Sequence, residues 1–272
     1  MPPLKRKYAY TLLVLVCLAA SGGYLHYKYP SPPAFPGASS GHIMIAHAGG
    51  VIDGHPYTNS LEAVQASVRD GFRYIELDLR LTTDKRLVAV HDWEELNTLT
   101  HGTGKGPLSL EEFKQRRIYG QYTPLDGAAI KDIFLADPRL CLVTDKLDDF
   151  DALLAQLPIP QDRLLVEVFS YAKYAQALRK GIRHPMLCIW DKDSLREYSP
   201  LFSLGRIAMI TVPAQALPEM EQELATLRRQ GVCILAFSSN DHDFMGKYLN
   251  NCVNGFYTDN LGPASFSEAK TQ

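Results

Sequence analysis

From residue 42 the chain repeats one pattern: a short apolar run, a polar break, then a stretch whose apolar positions recur every three or four residues. Apolar runs of this length predict buried strands, and the amphipathic stretches predict helices laid over them. Strands are expected at 43–46, 74–79, 87–90, 140–143, 164–168, 186–190, 207–212, 232–236 and 255–257. Helices are expected at 60–70, 149–157, 171–180, 218–230 and 241–250. Asn59 or Ser60 can cap the first helix, and Gly71 stands where a helix-ending glycine belongs. Alternation at this spacing implies parallel strands joined by helical crossovers, and so the α/β class. Nine strands stand where a closed TIM-type (β/α)8 barrel takes eight. The link between 79 and 87 is too short for a parallel crossover, so Thr83-Asp84-Lys85 predicts a turn and a hairpin there. The polar segment 97–127, with a helix over 110–117, reads as an insertion that faces substrate.

The first forty residues differ. Lys5, Arg6 and Lys7 precede an uncharged run that continues to Tyr27, roughly the 20 residues that span a bilayer as a helix. Basic residues on that side hold the N-terminus in the cytoplasm. Residues 1–28 therefore read as a signal peptide, with Ala19-Ala20-Ser21 as a small-residue cleavage site, or as a signal anchor. Tyr24, Leu25 and Tyr27, which continue the apolar run, favour the anchor. Either way the rest of the chain lies on the periplasmic or extracellular side, anchored to the membrane or secreted. Residues 29–41, with four prolines, form an extended linker. Residues 42–265 then suffice for one barrel and not for a second domain.

Composition narrows the partners. The 272 residues carry a formal charge of −2, so nucleic acid is excluded as an electrostatic partner. Five cysteines do not make a disulfide scaffold in a chain this long; Cys141, Cys188 and Cys233 sit in apolar strands as core thiols.

In 74–79, period-2 alternation sets Glu76 and Asp78 on one face and Ile75, Leu77 and Leu79 on the other. Two partly buried carboxylates repel, a divalent cation relieves them, and oxygen donors select a hard ion such as Mg²⁺ or Ca²⁺. The plain alternative is an acidic pair facing solvent. His47 and His91 each follow an apolar strand, at the end where parallel α/β folds place their active sites. Two imidazoles there can serve as acid and base. Asp145 ends a further strand and can complete the metal shell, with Lys146 beside it for an anionic group. Glu167 is a further candidate for that shell or for substrate contact. Trp93 either lines the pocket or packs.

These residues carry a resemblance. His47-x-Gly49, Asn59-Ser60-Leu61-Glu62-Ala63, the run 71–78 ending Glu76-Leu77-Asp78, Thr83-Asp84 and Val90-His91-Asp92 resemble the glycerophosphodiester phosphodiesterase family in order and spacing. Phe237-Ser238-Ser239-Asn240 and Gly255-Phe256-Tyr257-Thr258-Asp259 are similar to its closing segments. The resemblance implies a TIM-type barrel that cleaves small or phospholipid-derived phosphodiesters with one bound divalent ion. It implies acid/base roles for His47 and His91, metal-ligand roles for Glu76 and Asp78, a phosphate-holding Lys146, and Asn59 at the substrate site. It also implies that a substrate hydroxyl attacks first, giving a cyclic phosphate that water opens.

The departures are specific. Ala48 stands where the family has arginine, Thr58-Asn59-Ser60 replaces Glu-Asn-Thr, and Thr144-Asp145-Lys146 replaces Glu-x-Lys. Aligning the lysines puts Thr144 at the third ligand position, so Asp145 is expected to reach the metal only if the strand bends or bulges. Two alternatives follow: a barrel that binds a phosphorylated glycan or lipid without cleaving it, and a lyase that stops at the cyclic phosphate.

Overall fold

The computed structural model describes residues 32–33, 42–249 and 251–266. The expected leader, residues 1–28, and most of the linker lie outside them. Among the described residues no helix is long and apolar enough to cross a membrane.

Nine strands form in chain order: β1 (Ile43–Ala46), β2 (Tyr74–Leu81), β3 (Leu87–Ala89), β4 (Cys141–Asp145), β5 (Leu164–Val168), β6 (His184–Cys188), β7 (Met209–Pro213), β8 (Cys233–Phe237) and β9 (Gly255–Thr258). Eight of them are parallel and close on themselves, β1 pairing with both β2 and β9. The ninth, β3, folds back antiparallel on the far end of β2, with Leu79 opposite Ala89 and Leu81 opposite Leu87. That is the hairpin the short link requires, and Lys85 turns it with φ 61°. The chain thus builds a closed eight-stranded parallel barrel of the TIM type.

Helices cover the outside: α1 (Leu61–Arg69), α2 (Trp93–Leu99), α3 (Leu110–Gln115), α4 (Gly127–Ala136), α5 (Phe150–Gln156), α6 (Tyr171–Lys180), α7 (Lys192–Glu197), α8 (Ser199–Ser203), α9 (Leu217–Arg229) and α10 (His242–Tyr248). Most are started by a side chain that accepts from the backbone N–H three residues on. Ser60, Asp92, Asp126, Asp149, Ser170, Asp191 and Asp241 do this for α1, α2, α4, α5, α6, α7 and α10. Each such cap is worth on the order of 1 kcal/mol and fixes where a strand's exit loop becomes helix. Gly71, after α1, takes φ 92°, a left-handed turn that costs glycine nothing.

The strands bury both faces. Outward residues such as Ile75, Leu77, Leu142 and Ile234 join the large core under the helices. Inward residues Ile43, Ile45, Val143, Leu165, Met186, Met209 and Leu235 fill the barrel itself. Gly255 has no alternative at its position, since a Cβ there would run into the backbone of Ile43. The four cysteines at 141, 188, 233 and 252 are free.

Two expectations are corrected. The sixth strand starts at His184 rather than 186, because pairing of Leu165 with His184 draws a histidine and a proline into the sheet. Segment 97–127 does not face the barrel mouth. It packs a satellite core in which Leu96, Phe113, Ile118 and Tyr122 close over Val88 and Val90, and Trp93 joins that core against Phe113 at 6.4 Å.

Candidate active site

The C-terminal ends of the barrel strands enclose a cavity of about 180 Å³, and His47, Glu76, Asp78, His91, Asp145, Lys146 and Glu167 all line it. β2 brings Glu76 and Asp78 to its inner face. Register then decides the third acid: Glu76 lies opposite Val143 and Asp78 opposite Asp145. Regular alternation therefore turns Asp145 inward with Val143, and Thr144 to the other face. Neither a bulge nor Thr144 is needed, which corrects the alignment on the lysines. The bend comes one residue later, at Lys146, whose φ of 59° swings the ammonium back over the site.

Oxygen atoms of Glu76, Asp78 and Asp145 all lie within 4.8 Å of one another. Burial, then the charges of Asp78 and Asp145, push the Glu76 carboxyl well above its usual range. Burial and Asp78 push Asp145 up to about 8. Oδ1 of Asp145 is buried without a hydrogen-bond partner. An orphaned buried carboxylate oxygen beside two more carboxylates fits a hard divalent cation, which would ligate the orphan and relieve the repulsion.

Two devices hold this group in place. The backbone N–H of Ala48 donates to Oε2 of Glu76 at 2.7 Å, from a left-handed turn with φ 48°. Ala48 is fully buried, so this position serves a carboxylate through its backbone instead of reaching phosphate. Asn59 grips Asp78 twice: its Nδ2 donates to Oδ2 at 2.9 Å, and its Oδ1 accepts from the Asp78 N–H at 3.0 Å. Expected to touch substrate, Asn59 is buried behind the acid and orients it. Lys146 Nζ stands 2.8 Å from Asp145 and 4.0 Å from Asp78. Burial is the largest single influence and works against its charge, but Asp145, Asp78 and Glu76 together outweigh it and raise the ammonium above its ordinary value.

The two histidines are set differently. Nδ1 of His47 faces Oδ1 of Asp259 at 3.2 Å, which leaves Nε2 for the cavity. Asp259 is itself held by Asn240, whose Nδ2 donates to its Oδ2 at 2.6 Å. Burial raises the Asp259 carboxyl, yet the hydrogen bonds from His47 and Asn240 bring it below its usual range. His91 is more exposed; Nδ1 lies 3.1 Å from Glu95 and 3.3 Å from Asp92. The Glu95 hydrogen bond outweighs partial burial, and with Asp78 it raises the imidazole to about 9. His91 is thus an imidazolium at neutral pH.

Glu167 lies on β5, outside the group of three, and accepts from the Tyr257 hydroxyl at 3.2 Å. Burial raises it, and the neighbouring Thr211 and Tyr257 hydroxyls draw it part of the way back. Its place is beside the metal-type cluster, as a candidate for substrate contact and not as the third ligand.

Sequence reasoning gave no site role to Asp259 and Asn240, although both lie in the segments similar to the family's closing ones, and it overlooked Glu95. Asp259 follows an apolar strand just as Asp145 does, so the same signal was present. It also overlooked the aromatic side of the cavity, Phe169, Trp190, Phe237, Tyr57 and Tyr257, which no spacing announces.

Comparison with known proteins agrees with this geometry. The family model described as the glycerophosphoryl diester phosphodiesterase family matches residues 47–197, more than half of the chain. An *Oleispira antarctica* phosphodiesterase in complex with the product sn-glycerol-3-phosphate is 20% identical, with a TM-score of 0.67 over 82% of this chain and 95% of its own. A *Parabacteroides distasonis* glycerophosphoryl diester phosphodiesterase is 20% identical, with a TM-score of 0.64 over 84% and 85%. A glycerophosphodiester phosphodiesterase from *Thermotoga maritima* is 21% identical, with a TM-score of 0.62 over 80% and 94%. No curated protein matches the chain. At these identities the structures speak to the barrel, while the family match takes in both histidines and all three clustered acids. The chain belongs to the glycerophosphoryl diester phosphodiesterase family of phosphoric diester hydrolases.

Proposed function

We propose that the protein hydrolyses a glycerophosphodiester or a related lipid- or polyol-derived phosphodiester, with one Mg²⁺ or Ca²⁺ held by Glu76, Asp78 and Asp145. The observation that carries this reading is the cluster of those three acids with an orphaned oxygen on Asp145, directly beside two histidines. A bound cation supplies charge neutralisation at the acids and at the phosphoryl oxygens.

The chain's own groups do the rest. Lys146 holds a phosphoryl oxygen through Nζ. His47 keeps its Nδ1 proton and donates it as a hydrogen bond to Asp259, so Nε2 carries the lone pair and takes the proton of the attacking hydroxyl. As that oxygen bonds to phosphorus, the bond to the leaving oxygen breaks, and His91 protonates the leaving oxygen. Where a neighbouring substrate hydroxyl attacks, a cyclic phosphate results. Water then opens it with the roles reversed: His91 takes the water proton and His47 returns one to the departing ring oxygen. Ala48 and Thr144, the features that favour a non-cleaving barrel, remove nothing from this chemistry, because Asp145 supplies the third acid. The basic-flanked apolar run before residue 28 supports placement outside the cytoplasm, membrane-anchored or secreted.

The test is turnover of glycerophosphodiesters. Chelation should abolish it and Mg²⁺ or Ca²⁺ restore it, while His47→Ala and His91→Ala each lower kcat by roughly 10² to 10⁴ with circular dichroism unchanged. Full activity in chelator contradicts the reading.

A further inference from the structure

The cavity, at about 180 Å³, is small. Pockets that enclose a drug-sized ligand run from roughly 300 to 1,000 Å³. A phosphoryl group with a short polyol fills this one, so whatever the other ester oxygen carries must lie on the rim.

The rim has two unlike sides. Around His91 it is acidic, with Asp92 and Glu95. Across the cavity, at the ends of β5, β6 and β8, it is hydrocarbon. Phe169 and Trp190 are 45% and 52% exposed although both line the cavity. Their rings lie 6.2 Å apart and 18° from parallel, and Phe237 meets Trp190 edge-on at 5.7 Å. Isolated exposed apolar residues need no explanation; a contiguous exposed set beside a charged site marks a place where ligand is meant to sit.

The geometry of the rings selects the ligand. A quaternary ammonium wants ring faces turned around it. Here two rings are stacked, and Lys146 Nζ already sits 5.8 Å from the Phe169 centroid, so a second cation there is repelled. A polyol or sugar wants several hydrogen-bond partners, whereas the two phenyl rings offer none and Trp190 only its indole N–H. A contiguous hydrocarbon surface of two near-parallel rings with a third edge-on fits an aliphatic chain.

We infer that Phe169, Trp190 and Phe237 form a shelf for an aliphatic chain, making single-chain lipid phosphodiesters the preferred substrates. This rests on the phosphodiesterase reading above.

The experiment uses the full chain loaded with Mg²⁺ or Ca²⁺ and a series of glycerophosphoalkyl esters, from ethyl to dodecyl, below their critical micelle concentrations. Non-hydrolysable phosphonates of the same lengths are titrated by calorimetry in parallel. A methylene covered on one side gains about half of what full burial gives, so kcat/KM and phosphonate affinity should each rise roughly twofold per methylene along the shelf. In Trp190→Ala and Phe169→Ala the loss should grow with chain length, exceeding tenfold for the longest ester relative to the shortest. A flat wild-type series, or a loss equal at every length, overturns the shelf. If no ester turns over while the phosphonates keep their length dependence, the hydrolase reading fails and the shelf stands.

Discussion

Val143 and Asp145 stand two residues apart on one strand, both facing into the barrel, and they live in opposite environments. Val143 belongs to a hydrocarbon plug with Ile45, Leu165, Met209 and Leu235, each fully buried among apolar neighbours. Asp145 opens the next layer up, where it crowds with Glu76, Asp78 and Glu167, and where Asp145, Glu76 and Glu167 are forced toward protonation. The plug closes the barrel at the N-terminal side and stabilises it. The upper layer opposes folding until something compensates its charge. One strand thus carries stability at one position and chemistry at the next inward one, which is how the barrel family separates the two.

Neutralising the upper layer should separate these properties most sharply. Asp145→Asn and Glu76→Gln are expected to lower kcat by 10³-fold or more under saturating Mg²⁺ or Ca²⁺. Both should raise the melting temperature of the metal-free protein at pH 8. The sign follows from the raised carboxyls. The folded state binds protons that the unfolded state has released, so metal-free stability falls as pH climbs from about 4 toward about 8. Thermal melts against pH, with and without cation, check it; melts independent of pH would erase the contrast between the layers.

The lower layer should behave in the opposite sense. Leu235→Ala deletes hydrocarbon from the plug and should destabilise the protein by about 2–5 kcal/mol in urea unfolding. Turnover per folded molecule should stay near that of the parent protein. A large loss of kcat without loss of stability would show that the two layers are not separable.

The smallest effect is a shift in pH dependence. As general acid, His91 works while protonated, so activity should decline as pH rises through about 9. Glu95→Gln removes the hydrogen bond that raises the imidazole most, and the alkaline limb should move down toward the ordinary histidine value of about 6.5. At pH 8 a full return to that value is a loss of about thirtyfold, since the protonated share falls from about 90% to about 3%. The stability that His91 contributes has the same sign: present below about 6.5 and lost through about 9, though weakened by its exposure.

What the sequence announces and what it hides divide along physical lines. The eight-stranded count follows from one link too short to cross over, and α1 from Ser60 as cap and Gly71 after it. His47 and His91 are legible because each follows an apolar run, and Glu76 and Asp78 because period-2 alternation sets both on one face of a strand. The facing of Asp145 is not, since it depends on which residue of β4 opposes Asp78. The contact of His47 with Asp259 joins positions 212 apart in sequence. Short helices such as α2 and α7 escape notice because their length gives no periodicity, although Asp92 and Asp191 already stand there as caps. The aromatic rim is invisible for a related reason: Phe169, Trp190 and Phe237 come from three strands, and only closure of the barrel brings them together.

The central claim is that three acids on two adjacent strands hold one hard cation. Crystals grown with Mn²⁺ as a substitute and measured at its absorption edge test it directly. The account predicts a single anomalous peak bonded to Glu76, Asp78 and Asp145. A peak at His91, Asp92 and Glu95 instead, with the three acids bare, would contradict it.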